Sequence, residues 1–105
     1  MNTLTRLEDT IAQRLSADPD SSYVARLNAA GAPKMAQKLG EEATETVIAA
    51  VAGSKADLIS ESADLLFHLL VLLGAKGVAL NEVMAELDRR EGTSGLDEKA
   101  NRSAQ

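Results

Sequence analysis

The sequence predicts an all-α protein, an antiparallel bundle of about five helices. Apolar residues recur at helical spacing along most of the chain, and no segment alternates apolar and polar residues as a half-buried strand must. Clusters of Pro, Gly, Ser and Asp divide the chain into five periodic stretches, and there is no internal repeat or low-complexity block.

The first predicted helix covers residues 4–15, where Leu4, Leu7, Ile11 and Leu15 share one face and Thr5 with Glu8 has the form of a capping box. "ADPDSS" stops it, because Pro19 disfavours helix at the preceding residue and the Asp and Ser side chains offer turn and cap oxygens. A short second helix spans about residues 22–30 and ends at Gly31. The third starts at Pro33, suited to a first helical position, and runs to residue 52. Gly40 is its one weak helix former, and we expect it to admit a close approach by another helix or by substrate. Gly53 closes it, and Ser54 with Asp57 opens a fourth helix over residues 55–75 that stops at Gly77. The fifth covers residues 81–90, with Val83, Met84 and Leu87 on one side and Arg89 and Arg90 at its C-terminal end. Composition alone makes residues 91–105 a mobile tail on a single domain spanning residues 1–105.

The chain has 105 residues, 45% of them hydrophobic but only 2% aromatic, so its core is built from Leu, Ile, Val, Ala and Met. A core of that size profits from an oligomeric partner. Two rings, Tyr23 and Phe67, make no stacking platform for single-stranded nucleic acid, and a formal net charge of -5 argues against non-specific DNA binding. A nucleotide ligand stays open. With no cysteine, disulfides, thiolate metal sites and Cys nucleophiles are excluded. The N-terminus lacks the basic start and apolar run of a signal peptide, so no export is expected. The most apolar stretch, residues 65–73, is interrupted by His68 and is about half of the roughly 20 residues a bilayer requires, so no membrane partner is expected.

The carboxylates are the informative feature. On the third helix Glu45 lies within roughly 60° of Lys34, Lys38, Glu41 and Glu42, while Leu39, Ala43, Val47, Ala50 and Val51 form the opposite, core-facing side. The fourth helix is apolar on nearly every side except for a narrow stripe of Asp57, Glu61, Asp64 and His68. Carboxylates in such a helix are costly unless paired or bound to metal. Glu42-x-x-Glu45 and Glu61-x-x-Asp64 each place two carboxylates one turn apart, and antiparallel neighbours let all four converge on a divalent cation. Carboxylate-only ligation points to Mg²⁺, or Mn²⁺, over Zn²⁺. An E-x-x-E pair by itself is common on solvated faces; the pairing with Glu61-x-x-Asp64 is what gives it weight. His68 reads as a satisfied core or interface histidine. Lys34 and Lys38 read equally as solvated lysines or as ammonium groups that bind phosphate oxygens.

"SSYVARL", "KMAQKLGEEATETVIAA", "ESADLLFHLLVLL" and "SGLDEKANR" together closely resemble the phosphoribosyl-ATP pyrophosphohydrolase family of histidine biosynthesis, related to the MazG-type all-α nucleotide pyrophosphatases. The resemblance covers about residues 4–102. It implies a MazG-like bundle completed by homodimerisation and Mg²⁺-dependent hydrolysis of phosphoribosyl-ATP to phosphoribosyl-AMP and pyrophosphate in the cytoplasm. Glu42, Glu45, Glu61 and Asp64 match the metal-binding signature, Glu41 an additional acidic position, and Lys34 and Lys38 basic positions facing phosphate. Glu41 is our candidate to position or deprotonate the attacking water. The resemblance also suggests that Gly95, Lys99 and Arg102 fold over the site when substrate binds. Two departures stand out: Ala32 and Pro33 replace a polar lead-in to the third helix, and Ala79 replaces a Ser cap, at a cost of roughly 1 kcal/mol. Two other activities share parts of this pattern. A MazG-like pyrophosphatase for canonical or damaged nucleoside triphosphates has the same carboxylates, and a non-catalytic helical dimerisation module needs only the acidic stripe.

Overall fold

The computed structural model describes residues 2–91. Five helices follow one another: α1 (Thr3–Arg14), α2 (Tyr23–Ala30), α3 (Ala32–Ala52), α4 (Lys55–Ala75) and α5 (Leu80–Arg90). No strand occurs among the described residues. The expected contacts of Gly95, Lys99 and Arg102 lie outside them.

The helix boundaries follow the local chemistry and differ from the sequence reading by one residue at several ends, two of which have an identifiable cause. α1 starts earlier than the Thr5/Glu8 box implies, because Asn2 is the cap: its Oδ1 accepts the Thr5 N–H at 2.9 Å. Asn ranks among the strongest N-caps, and using it adds residues to the helix. Glu8 is thereby released for another task. Its carboxylate accepts the backbone N–H of Leu80 at 2.6 Å, across 72 residues of sequence. α5 thus begins one residue early at Leu80, and the Ser missing at position 79 is replaced by two carboxylates, Glu8 on Leu80 and Glu82 on the Ala79 N–H at 2.8 Å. The Ala79 departure is compensated from a different helix.

Between α2 and α3 the chain turns on a single residue. Gly31 adopts φ +97, a conformation that side-chain-bearing residues rarely enter, so the abrupt turn requires glycine there. At the far end of α3, Ser54 and Asp57 form the expected reciprocal box: Ser54 N–H to Asp57 Oδ2 at 3.0 Å, and Asp57 N–H to Ser54 Oγ at 3.1 Å. Asp57 is therefore committed to the start of α4.

Ile11, Val24, Leu27, Met35, Leu70 and Val71 form the buried core, with Leu4, Leu7, Leu15, Phe67 and Leu73 packed around it. Each large aliphatic buried there contributes about 1.5–3 kcal/mol. All of these lie on α1, α2, the start of α3 and the C-terminal half of α4. The α3–α4 hairpin, the most extensive helix pairing, runs on beyond this core. Consequently the expectation that Val47, Ala50 and Val51 are core residues does not hold within one chain. Val47 is 62% exposed, Val51 83% and Ile59 61%. Among the described residues no other helix reaches that end of the hairpin to cover them.

By length and composition alone α4 is long and apolar enough to cross a membrane. Its acidic residues decide against reading it so, since Glu61 and Asp64 lie near its midpoint, where a charge is costly in hydrocarbon.

Candidate active site

The site lies where the hairpin leaves the core. α3 and α4 are antiparallel, and Thr46 ties them together: its Oγ1 lies 2.8 Å from the carbonyl oxygen of Glu42 and 3.2 Å from that of Glu61. A hydroxyl has one proton, so the two carbonyls share it. The sequence reading passed over Thr46. Its signal was a hydroxyl one turn after Glu42, on the side of α3 facing the stripe of α4.

This register brings Glu42, Glu45 and Glu61 together, with one carboxylate oxygen of each within 4.8 Å of the others. Oε2 of Glu42 and Oε2 of Glu61 are buried without a hydrogen-bond partner. Burial, followed by the charge of Glu45, pushes the Glu42 carboxyl above its ordinary range. Glu61 is pushed up to about 7, first by sharing a proton with Glu45, then by burial and by the charges of Glu45, Glu42 and Asp64. Three acids converge, and the charge of Glu45 raises the cost of ionising both Glu42 and Glu61.

Asp64 and Glu41 stand differently. Asp64 is exposed and outside the three-carboxylate group, although its charge acts on both Glu42 and Glu61. Glu41 faces solvent. Gln37 Nε2 donates to its Oε1 at 3.0 Å and Lys38 Nζ lies 3.4 Å from its Oε2. These partners, Gln37 foremost, hold its carboxyl below the usual range, with a smaller contribution from Lys34. Lys34 and Lys38 thus border the cluster through Glu41. Gly40 faces open space: nothing among the described residues lies within 4 Å of where a Cβ would stand, so none of the five helices packs against it.

His68 is 7% exposed and fully satisfied. Its Nδ1 donates to the Asp64 carbonyl at 2.8 Å, which leaves Nε2 to accept the Tyr23 hydroxyl proton at 2.9 Å. Tyr23 and Phe67 both pack edge-on to its ring. The histidine is a core group that fixes the Asp64 turn of α4. An open cleft of about 280 Å³, lined by Ile48, Ala49, Ala52, Asp57 and the flanks of Glu45 and Glu61, borders the cluster on the hairpin side.

The donor set suits a hard divalent cation. Two buried carboxylate oxygens lack a hydrogen-bond partner and a third carboxylate stands within 4.8 Å of them, an arrangement that a metal relieves. Comparison with known proteins agrees with the chemistry. The sequence model of the family described as phosphoribosyl-ATP pyrophosphohydrolase matches residues 4–91. A phosphoribosyl-ATP pyrophosphatase of Erythrobacter litoralis is 74% identical over 102 residues, covering 97% of this chain and 98% of that protein. Proteins of the same name from Novosphingobium aromaticivorans and Rhizorhabdus wittichii are 65% and 66% identical over 100 residues, covering 95% of this chain and 94% of each. With a match through all five helices and near-complete coverage in both directions, the chain belongs to the phosphoribosyl-ATP pyrophosphohydrolase family.

Proposed function

We propose that the chain hydrolyses phosphoribosyl-ATP to phosphoribosyl-AMP and pyrophosphate, with Mg²⁺ or Mn²⁺ held by Glu42, Glu45 and Glu61 and with Asp64 as a further acidic ligand. The observation that carries this is the pair of buried, unpartnered oxygens on Glu42 and Glu61 in a chain of this family. The metal supplies charge neutralisation for the triphosphate and a lowered pKa for water.

The chain's own groups do the rest. Glu42, pushed up by burial and by Glu45, and Glu61, pushed up by its hydrogen bond to Glu45 and by burial, would ionise on holding the metal, and Thr46 keeps the two helices in the register that aligns them. Glu41, kept ionised by Gln37 and Lys38, accepts a hydrogen bond from the attacking water. A carboxyl shifted downward is a weak base near neutral pH, so its contribution is orientation more than proton removal. Lys34 and Lys38 face the phosphate oxygens beyond the carboxylates. In this way an acidic protein binds a polyanion, because the local field at the site is reversed.

The exposed side of the hairpin completes the proposal. Val47, Ile48, Val51 and Ile59 are apolar and more than half exposed, as expected of a surface covered by a second copy of the chain. We therefore take the working form as a single-domain homodimer in the cytoplasm, with no membrane or nucleic-acid partner.

Pyrophosphate release from phosphoribosyl-ATP and from a panel of dNTPs, with and without Mg²⁺, tests the reading. Metal-dependent release selective for phosphoribosyl-ATP is expected. Preference for any dNTP would replace it with a general nucleotide pyrophosphatase, and no release from any nucleotide would leave a dimerisation module.

A further inference from the structure

A second cavity, of about 300 Å³, opens between the end of α1, the start of α2 and Phe67 of α4. Arg14, Ser21, Ser22, Tyr23 and Phe67 line it, and no carboxylate does. In a chain of net charge -5 that combination is uncommon: a guanidinium, two hydroxyls and a ring wall with no acid among them.

The Ser21 hydroxyl already donates to the Asp18 carbonyl at 3.2 Å, but other groups have capacity to spare. Arg14 is exposed, in the last turn of α1, and forms no ion pair among the described residues. Ser22 Oγ accepts the Ala25 N–H at 3.2 Å and keeps its own proton to donate. Tyr23 and Val24 open α2, so their N–H groups have no intrahelical acceptor. The wall is rigid: the Tyr23 and Phe67 rings are nearly parallel, with centroids 6.2 Å apart, and His68 anchors the Tyr23 hydroxyl.

Position links the cavity to the carboxylates. Phe67 lies three residues beyond Asp64 and six beyond Glu61, about 4.5 and 9 Å along the α4 axis. Tyr23 is joined to the Asp64 carbonyl through a single imidazole. The cavity therefore lies less than two helical turns farther along α4 than the acidic cluster, with Phe67 about 60° around the helix from Asp64 and about 120° from Glu61. Phosphoribosyl-ATP has a further phosphate, on the ribose at N1 of its adenine, separated from the scissile α-phosphorus by the adenosine and that second ribose. Resting on the reaction proposed above, we infer that this cavity holds that distal 5-phosphate: Arg14 pairs with it, Ser22 and the first N–H groups of α2 donate to it, and Tyr23 flanks the sugar. Arg14 is then the residue that separates phosphoribosyl-ATP from ATP, which lacks this phosphate.

Three full-length variants test it. Arg14→Ala should raise KM for phosphoribosyl-ATP roughly 10–100-fold and collapse the ratio of kcat/KM between phosphoribosyl-ATP and ATP. Arg14→Lys should recover part of the ratio, since the charge returns without the bidentate fork. Lys76→Ala removes one positive charge at the end of α4 and should leave the ratio unchanged. Equal effects of Arg14→Ala and Lys76→Ala, or a loss confined to kcat, overturn the assignment. Ribose 5-phosphate, titrated into the metal-free chain and followed by NMR, separates this inference from the reaction. Binding that Arg14→Ala abolishes supports a phosphosugar site whichever nucleotide is cleaved, and absence of binding overturns the site even where phosphoribosyl-ATP is the substrate.

Discussion

Replacing Glu61 by Gln tests the metal centre at its most perturbed group. With its pKa pushed up to about 7, the Glu61 carboxyl is mostly protonated below that pH and mostly ionised above it. A carboxylate ligand must be ionised, so binding Mn²⁺ should release a number of protons that is larger below pH 7 than above it. Calorimetric titration in buffers of contrasting ionisation enthalpy measures that number directly. Glu61→Gln keeps the size of the side chain and a donor toward Glu45, removes the proton, and should lower hydrolysis on the order of 10²–10³-fold. The same shift fixes the pH dependence of the metal-free fold. Glu61 is raised above its ordinary value, so between about pH 4.5 and 7 the folded chain binds more protons than the unfolded one. Its contribution to stability is complete below that window and is lost as pH rises through 7. Urea denaturation should show this loss in the wild type and a flatter profile in Glu61→Gln. Proton release that does not vary with pH, or that persists in the variant, refutes Glu61 as a protonated ligand.

Three further perturbations reach other parts of the molecule. Glu8→Ala removes the remote cap on Leu80 and should cost about 1–2 kcal/mol in urea denaturation, with faster amide exchange at the start of α5. Gly40→Ala meets no atom within 4 Å and should stabilise the chain by about 0.5–1 kcal/mol; a simultaneous rise in KM would mark Gly40 as a point of substrate approach. Tyr23→Phe leaves Nε2 of buried His68 without its donor and should cost about 1–3 kcal/mol in thermal denaturation.

Most of the fold was legible because it is written in local chemistry. Pro19, Gly31, Gly53 and the Ser54/Asp57 box punctuate the chain where the helices break, and the 3.6-residue period marks their faces. Contacts distant in sequence were not legible. Thr5-x-x-Glu8 satisfies the capping-box pattern, yet Glu8 reaches Leu80, and nothing in the local sequence distinguishes these fates. The faces of α3 show the same limit in another form. Its period separates a charged side from an apolar one correctly, but Val47 and Val51 are exposed, because periodicity tells which residues seek cover and not which chain supplies it.

The candidate site was legible for a related reason: its residues violate the local rules. Acids at helical spacing on an otherwise apolar helix raise the free energy of an isolated fold, and the structure leaves that cost in place, with Glu42 and Glu61 each holding a buried oxygen that no group among the described residues satisfies. A purely structural role would have paired them, as it paired Asp57 with Ser54 and Glu86 with Arg89. Glu41 makes the contrast within a single turn of α3. It has acquired Gln37 and Lys38 as partners, while Glu42 beside it has acquired none for its buried oxygen. Two neighbouring carboxylates on one helix thus have opposite electrostatic fates, one settled in its charge and one held back from it. That division is what a site needs if one acid is to stay ionised toward solvent while the others wait for a cation.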